Sequence, residues 1–405
     1  MQAEQDAGPL AGIRMVLLGA AIAGPTTGRF FSEYGADVIR VEWSGHVDSL
    51  RRSTPYLAGK PGPNSSYRFA QYNMGLRSLG LNLATGEGRA LFLDLIRQAD
   101  VFVCNQSAGV LPKLNLAADV LLECNPALVV VQMSIFGQGR FERHPGLGGG
   151  LSAFTGFDAV TGWPDGEPLL PQGAYTDFIV PPLAVVAILA ALEEVSAGSG
   201  GRLIDVSEFE CGSWFLMPEI IQAQLGVPPG RHGATGTDGH VSGVVPCGGR
   251  EQWCVIVIER DDEWQALSSL MGRADLADED RFSSRSRRLL HRDELLKLVS
   301  EWTSTHARPR LLALLNAHAV PAYPANEAPA LQVDQYLCAR SHWRVVDDPD
   351  LGAIYSERFP LSFSDISDRT APPPHFGEHS YAILHDVLGC SDDRYAELVE
   401  QGVVE

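Results

Sequence analysis

The chain has 405 residues, more than the about 250–300 at which a single hydrophobic core stops growing, so we expect two domains. Hydrophobic residues make up 45% of the chain and charged residues 20%, which excludes extensive disorder. A net charge of −19 excludes a non-specific binder of nucleic acid or of an anionic membrane, because such binders need clustered cations.

Short apolar runs alternate with helical patterns over the first third of the chain, which is typical of a mostly parallel sheet covered by helices. In chain order we predict strands at 15–18, 37–42, 77–83, 100–104 and 128–134, and helices at 27–34, 86–99 and 117–124. Ala23-Gly24-Pro25 is predicted to break the chain before the first helix. In this doubly wound, Rossmann-like domain the ligand is expected in the loops at the carboxyl ends of the strands.

The rest of the chain predicts a second, smaller α+β domain. A glycine-rich tract at 146–150 and a polar stretch at 156–171 predict loops, followed by an apolar helix at 182–195 and a strand at 203–206. Turn residues become frequent after about residue 223, including Pro228, so we place the domain boundary there. Beyond it we predict a strand at 252–258, helices at 261–271 and within 278–316, and proline-rich linkers at 321–329 and 372–374.

The seven cysteines are an odd number, widely scattered and without a CxxC pair, which predicts a reduced, cytoplasmic protein without a metal site. The first twelve residues lack the cationic and apolar regions of a signal peptide. The longest apolar run, 179–192, is too short to span a bilayer and contains Pro181 and Pro182, so no membrane span is expected.

Asp177 stands at the entrance of the apolar helix, where two influences on its pKa oppose each other. Desolvation beside apolar surface raises the pKa of a carboxyl group, whereas the helix dipole favours its charged form. The pattern leaves two interpretations open: Asp177 is either the N-cap of the helix or a reactive carboxylate.

Segments spread from about Pro9 to the end of the chain resemble, in their number and order, those of one enzyme family. The N-terminal segments are LAGIRMVLL at 10–18, AGP at 23–25 and YGADVIRVE at 34–42. Shorter matches follow at 77–82, 87–90, 99–101, 125–126, 134–137, 145–146, 161–162, 291–294, 320–322 and 377–379. The family that these segments resemble is that of the class III CoA-transferases, of the CaiB/BaiF type.

The resemblance implies that Asp177 is the catalytic residue. In this family the matching carboxylate attacks an acyl-CoA thioester to form a mixed anhydride, which then becomes an aspartyl-CoA thioester that a second carboxylate resolves. The substrates would be an acyl-CoA donor and a carboxylate acceptor, with coenzyme A as part of the substrate and no metal. The anhydride needs protection from water, which Phe178, Ile179 and Trp163 would provide.

The resemblance also implies CoA contacts and an architecture. The expected CoA-binding residues are Ala23, Gly24, Pro25, Arg40, Asn73, Arg77, Asn105 and Gly137. The implied fold is a large CoA-binding Rossmann-like domain at 1–222, a small domain at 223–330 and a C-terminal segment at 331–405 that returns to the large domain. Two such chains would form an interlocked homodimer, with 226–243 and 321–329 as the crossing segments.

Two departures from the family pattern keep alternative functions open. Gln106-Ser-Ala108 stands where relatives have an aromatic residue followed by Arg-Pro, and Leu147-Gly148 stands where transferases have an aromatic residue and an acid, or racemases a histidine. Without that histidine a 2-methylacyl-CoA racemase is the weaker alternative, because a racemase needs an acid and a base. A CoA-binding subunit that is active only with a sister subunit is the third possibility. The pair Leu147-Gly148 also predicts room for an acceptor larger than oxalate or formate.

Overall fold

The computed structural model describes residues 8–56, 59–142, 144, 146, 148–171, 173–227, 229–235, 239–364 and 369–405. Pro145, Leu147 and Pro228 lie outside the described residues. The chain divides into two compact units, the first made of 1–157, 170–225 and 341–405, and the second of 158–169 and 226–340.

The first unit is built on a six-stranded parallel sheet in the order β3-β2-β1-β4-β5-β6, so the predicted α/β fold with a parallel sheet is confirmed. Its strands are β1 (Arg14–Leu18), β2 (Asp37–Glu42), β3 (Arg77–Gly80), β4 (Val101–Cys104), β5 (Val129–Ser134) and β6 (Arg202–Ser207). This strand order is that of dinucleotide-binding Rossmann folds, in which ligands bind beyond the carboxyl ends of the strands.

Helices cover both faces of this sheet. The helices between residues 23 and 224 are α1 (Ala23–Glu33), α2 (Tyr67–Asn73), α3 (Gly86–Ile96), α4 (Val110–Lys113), α5 (Ala118–Cys124), α6 (Gly148–Thr155), α7 (Phe157–Val160), α8 (Thr176–Ser196), α9 (Glu208–Phe215) and α10 (Met217–Gln224). Of these, α7 belongs to the second unit except for Phe157. Short 3-10 turns lie at Ser44–His46 and Ser49–Arg52. One apolar cluster packs α3 and α5 on one face of the sheet, and a second packs α1 and α8 on the other.

Two glycine-containing segments that were predicted to be irregular are helical. Helix α1 begins at Ala23, so Gly24 and Pro25 occupy its first turn instead of breaking the chain. Proline fits there because the first backbone N–H groups of a helix have no partner within it. The tract at 146–150 likewise leads into α6, whose first three residues are glycines.

Helix α8 begins at Thr176, before the predicted start at residue 182, and it contains both Pro181 and Pro182. It has 21 residues with a mean hydropathy of 2.1 and is long and apolar enough to cross a membrane. One such helix is weak evidence for a membrane span, since core helices of globular proteins have the same length and composition. In this fold α8 contributes Val180, Ala184 and Ile188 to the apolar cluster on the sheet.

The second unit has its own core around a three-stranded antiparallel sheet in the order β7-β8-β9. Its strands are β7 (Val241–Pro246), β8 (Trp253–Ile258) and β9 (Ala322–Pro324). Its helices are α11 (Asp261–Leu270), α12 (Arg285–Leu290), α13 (Arg292–Thr303), α14 (Arg308–Ala317), α15 (Ala328–Gln332) and α16 (Gln335–Ala339), with a 3-10 turn at Ala274–Ala277. The predicted linker at 321–329 therefore contains a strand, which pairs with β8.

The unit boundaries place the stretch 158–169 in the second unit and the C-terminal stretch 341–405 in the first. The stretch 158–169, predicted as a loop of the large domain, belongs to the second unit because Arg231 donates to the carbonyl oxygens of Trp163 (3.1 Å) and Gly166 (2.7 Å). The C-terminal part of the chain belongs to the first unit and contains β10 (Trp343–Asp348), β11 (Gly352–Glu357), α17 (Ser380–Ala382), a π-helical turn (Ile383–Val387) and α18 (Asp392–Glu400).

Candidate active site

The carboxyl edge of the parallel sheet brings together loops that are far apart in sequence. Asn105, the first residue after β4, joins two of them, since its side-chain amide donates to the carbonyl oxygen of Ala20 (2.8 Å) and accepts from the Ala20 N–H (2.9 Å). A Cβ at Gly24 would lie 2.6 Å from Asn105 Oδ1, so only glycine fits at that position. The structure therefore places Asn105 against Ala20 and Gly24, beside Ala23 and Pro25 in the first turn of α1.

Arg40 and Asn73 are hydrogen-bonded to each other beside the loop after β1, and both side chains are buried. Arg40 is 1% exposed, and its guanidinium donates hydrogen bonds to the side chains of Asn73 and Asp48. The Asp48 carboxylate also accepts from the N–H of Ala21 at 3.2 Å. Burial alone would raise the pKa of neighbouring Glu42, but the charge of Arg40 with further hydrogen bonds lowers it below its ordinary value. This buried network holds the loop after β1 in place from within the protein.

The other two predicted CoA-binding residues lie apart from this group. Arg77 is the first residue of β3, so it lies at the amino edge of the sheet, where it pairs with Asp37 at 3.0 Å. Gly137 lies in the loop after β5 with φ of +68°, and a Cβ there would be 3.2 Å from that of Ser207. Gly137 thus approaches the carboxyl end of β6, whereas Arg77 does not reach the carboxyl edge.

Asp177 lies in the first turn of α8 and shares a hydrogen bond with the side chain of Glu208. The residue in the N-cap position is Tyr175, so Asp177 does not cap the helix. Glu208 is the first residue of α9, directly after β6, and Ser207 caps that helix by accepting the N–H of Glu210 at 3.2 Å. The N-termini of two helices therefore bring two carboxyl groups into contact at the carboxyl edge of the sheet.

The two carboxyl groups share a site in which only one of them is ionised near neutral pH. Burial, together with the charge of Asp177 and the hydrogen bond to it, raises the pKa of Glu208 to about 8. Burial also raises the pKa of Asp177, to about 6, while the hydrogen bond from Glu208 opposes that rise. Two like charges in one buried site repel, so the more deeply buried carboxyl keeps the proton. The arrangement is an ionised Asp177 that accepts a hydrogen bond from a neutral Glu208.

Gly148 closes one side of this carboxyl pair. A Cβ at Gly148 would lie 2.3 Å from the Cβ of Ala174 and 2.8 Å from Asp177 Oδ1. The glycine is required by this close approach, and the space in which a side chain would lie is already filled. The predicted room for a larger acceptor stays a prediction, because Leu147 lies outside the described residues.

Of the three residues predicted to exclude water, Phe178 and Ile179 directly follow Asp177 in α8. Phe178 is 45% exposed, and its ring centroid lies 6.1 Å from that of Tyr72. Ile179 packs against the apolar cluster of α1 and α8. Trp163 belongs to the second unit, where it is largely exposed.

A cavity of about 680 Å³ opens at the carboxyl end of β4. Ser107 and Ala108, two residues of the departure at 106–108, line it together with Lys113 and Gln138. Its volume is in the range of sites for cofactor-sized ligands. Among the residues that the structure describes, no group of three His, Cys, Asp or Glu side chains is arranged to hold a metal ion.

Glu208 is a site residue that the sequence did not predict. A signal was present, because Glu208 directly follows a strand whose carboxyl end lies at the ligand-binding edge. Its partner Asp177 is distant in sequence, however, and only the topology of α8, β6 and α9 makes the two adjacent.

A family model described as CoA-transferase family III matches residues 10–380 of the chain. A probable CoA-transferase of Mycobacterium tuberculosis is 30% identical over 415 aligned residues, which cover 98% of this chain and 50% of that protein, so the chain spans about half the length of this relative. The succinate–glutarate CoA-transferase of Agrobacterium fabrum is 30% identical over 384 residues, covering 94% of this chain and 96% of the relative. The crystal structure of a CAIB/BAIF family protein from Brucella suis superimposes with a TM-score of 0.83 at 29% identity, over 94% of this chain and all of that one.

The contact between Gly148 and Asp177 generates a prediction about stability. Replacing Gly148 with alanine forces a Cβ into Ala174 and Asp177, and we expect a loss of about 1–3 kcal/mol in the free energy of unfolding. Gly149→Ala is the matched control, because nothing lies within 4 Å of a Cβ at this neighbouring helical position. Urea titration of both variants measures the difference, and equal stabilities would show that residue 148 does not contact the carboxyl pair.

The two predicted CoA-binding arginines should differ in their contribution to stability. Arg40→Met leaves the buried Asp48 carboxylate without its cation, while Glu42 keeps its ion pair with Arg51, so we expect a loss of about 3–5 kcal/mol. Arg77→Met breaks an ion pair that is 27% exposed on both sides, and we expect a loss of less than about 1 kcal/mol. Urea unfolding of the two variants tests this, and a small effect of Arg40→Met would contradict the buried network.

Proposed function

The chain belongs to CoA-transferase family III, as its sequence predicted, and we propose that it transfers CoA between carboxylic acids with Asp177 as the nucleophile. The observation that best supports this is the carboxyl pair at the N-termini of α8 and α9, in which burial and one shared proton leave Asp177 ionised and poorly solvated. A carboxylate with few hydrogen-bonding waters is a stronger nucleophile than one in bulk water.

The proposed reaction begins with attack of an Asp177 oxygen on the carbonyl carbon of the acyl-CoA thioester. The carbon–sulfur bond breaks, its electron pair leaves with the CoA thiolate, and a mixed anhydride remains on Asp177. The thiolate then attacks the aspartyl carbonyl carbon, which releases the donor acid as a carboxylate and leaves an aspartyl-CoA thioester. Reversal of both steps with an acceptor carboxylate gives the new acyl-CoA and restores Asp177.

The helix N-terminus supports the charge changes at Asp177 during this sequence. The tetrahedral intermediates carry negative charge on an oxygen close to the aspartyl carbon, and the first turn of α8 presents the positive end of the helix dipole there. The carboxylate attacks without first losing a proton, since Glu208 keeps the proton of the pair.

We propose that CoA binds along the carboxyl edge, with part of it in the cavity lined by Ser107 and Lys113. The loop held by Asn105 and the first turn of α1 would lie along the pantetheine arm, and Gly137 would allow close approach of the backbone. In this arrangement Arg40 and Asn73 act indirectly, because their hydrogen bonds position the loop after β1. The cavity is lined by one cation, Lys113, and by two acids, Asp119 and Glu142, so the CoA phosphates would depend on Lys113 together with backbone N–H donors.

We further propose that the protein functions as a homodimer of interlocked chains. Helices α8, α9 and α10 of the first unit leave large apolar side chains exposed, among them Val186 (67%) and Trp214 (61%), and Leu225 (75%) follows directly after α10. Large apolar side chains exposed on three successive helices favour an interaction site here. A second copy that covers these helices would also exclude water from Phe178 and Asp177.

The experiment that tests this function combines product analysis with detection of the enzyme-bound intermediate. The protein is incubated with succinyl-CoA and a panel of carboxylate acceptors that includes glutarate and oxalate, and new acyl-CoA species are identified by mass spectrometry. Intact-protein mass spectrometry after mixing with acyl-CoA alone should show a CoA adduct, which peptide mapping should assign to the segment that contains Asp177. The function is contradicted if no donor and acceptor pair gives a product and no donor gives an adduct.

Asp177→Asn keeps the shape of the side chain but removes the nucleophile, so we expect transfer to fall at least about 1,000-fold and the CoA adduct to disappear. Asp165→Asn, an exposed position in the second unit, is the matched control and should behave like the wild type. An Asp177→Asn variant with wild-type turnover would exclude covalent catalysis by this residue.

Lys113 provides the test for the position of CoA. Lys113→Ala removes a cation from the cavity, and we expect the dissociation constant for CoA to increase about 10-fold. Lys297→Ala is the matched control, since Lys297 is exposed on α13 of the second unit. Isothermal titration calorimetry measures both constants, and equal effects of the two substitutions would place the CoA phosphates elsewhere.

A further inference from the structure

We propose that Glu208 is a positioning residue for the nucleophile: as a neutral acid it donates a hydrogen bond to one oxygen of Asp177 and leaves the other oxygen free to attack. This inference rests on the proposed function of Asp177. It assigns a role to a second carboxyl group that becomes apparent only when α8 and α9 are placed side by side.

The position of Glu208 is determined by backbone structure on both sides. It is 6% exposed and begins α9 immediately after β6, so its side chain has little freedom to leave the pair. Asp177 is held in the first turn of α8, where the N–H of Asp177 donates to the carbonyl oxygen of Ala174 at 3.0 Å. Gly148 lies against Oδ1 of Asp177. With one oxygen hydrogen-bonded to Glu208 and Gly148 packed against it, the Asp177 carboxylate is accessible to a substrate from a limited set of directions.

The surroundings of the pair explain why the proton stays on Glu208. The shifts in the pKa of both carboxyl groups come from burial and from each other, with no cation among their causes. The elements packed against α8 and α9 are α1, α6, α10, β5 and β6. The titratable or charged residues on α1, α10, β6 and α9 itself are Arg29, Glu33, Glu219, Arg202, Asp205, Glu210 and Cys211, while α6 and β5 have none.

Of these neighbours, none supplies a charge that would ionise Glu208. Arg29 is paired with Glu33 at 2.7 Å. Burial raises the pKa of the Cys211 thiol, so the thiol remains neutral. Tyr72 on α2 is also neutral, because burial raises the pKa of its hydroxyl. Glu208 therefore loses its proton only when the solution becomes alkaline.

The role of Glu208 does not require net proton transfer. When Asp177 attacks, one of its oxygens forms the bond to the acyl carbon, the carbon–sulfur bond breaks and its electrons leave on sulfur. Glu208 keeps its proton and its hydrogen bond to the other oxygen, which becomes the carbonyl oxygen of the anhydride. The same hydrogen bond polarises that carbonyl for attack by the thiolate in the next step.

The first test is the pH dependence of kcat/KM in three proteins. The wild-type profile should rise with ionisation of Asp177, near pH 6, and fall with ionisation of Glu208, near pH 8. Glu208→Gln keeps an N–H donor but cannot ionise, so it should remain active and lose the alkaline decrease. Glu208→Leu has no donor, so its kcat should fall about 10- to 100-fold with little change in KM.

The control for this series is Glu210→Gln, an exposed acid two residues further along α9, which should keep the wild-type profile. A purely structural role for Glu208 would lower the amount of folded protein without moving the alkaline limb. Persistence of that limb in Glu208→Gln, or an unchanged kcat in Glu208→Leu, would overturn the proposal.

The second test does not depend on turnover. In the unfolded chain Glu208 ionises above its ordinary pKa of 4.5, whereas in the folded protein it keeps its proton to about pH 8, so wild-type stability falls as the pH rises between these values. Glu208→Gln lacks this titration, and its Tm relative to the wild type should increase steadily from pH 5 to pH 8. A constant Tm difference would overturn the shared proton, whereas this increase without any acyl-CoA turnover would contradict only the proposed function.

Discussion

The hydrogen bond between Asp177 and Glu208 depends on a constraint set by the parallel sheet. All six strands end at one edge, so the helix that precedes β6 and the helix that follows it both begin there. Two carboxyl groups in contact would repel and lose hydration, but the positive ends of two helix dipoles and one retained proton reduce both costs. The site is therefore a product of the strand connectivity more than of any local sequence motif.

A second consequence of the sheet is that its ligand-binding loops are held by buried polar groups. Asn105 bonds both backbone groups of Ala20, and Asp48 bonds the next residue, Ala21. Arg40, which neutralises Asp48, lies inside the protein. Its positive charge therefore stabilises the loop after β1 and does not face solvent. If CoA binds here as proposed, an acidic protein would thus present a defined edge to an anionic ligand.

The sequence predicted the features that depend on local patterns, and it missed those that depend on contacts between distant segments. Alternating apolar runs located β2 and β5 almost to the residue, and the placement of Asp177 beside an apolar helix marked it as a candidate reactive group. The periodicity of β2 could not show that Arg40 points into a buried network. Likewise Glu208 resembled an ordinary first-turn acid, because its partner is brought to it only by the fold.

The two prolines in α8 divide the helix into parts that are joined differently. Proline has no N–H, so the carbonyl groups of Asp177 and Phe178 cannot receive the usual hydrogen bond from four residues later. The N–H groups of the same two residues donate to the carbonyl oxygens of Ala174 and Tyr175, which precede the helix. The first turn of α8, which contains Asp177, therefore has fewer hydrogen bonds to the rest of its helix than an uninterrupted helix would have. In the proposed reaction, small rotations of this turn would follow the aspartyl carbon as it changes between planar and tetrahedral geometry, while the rest of α8 stays packed on the sheet.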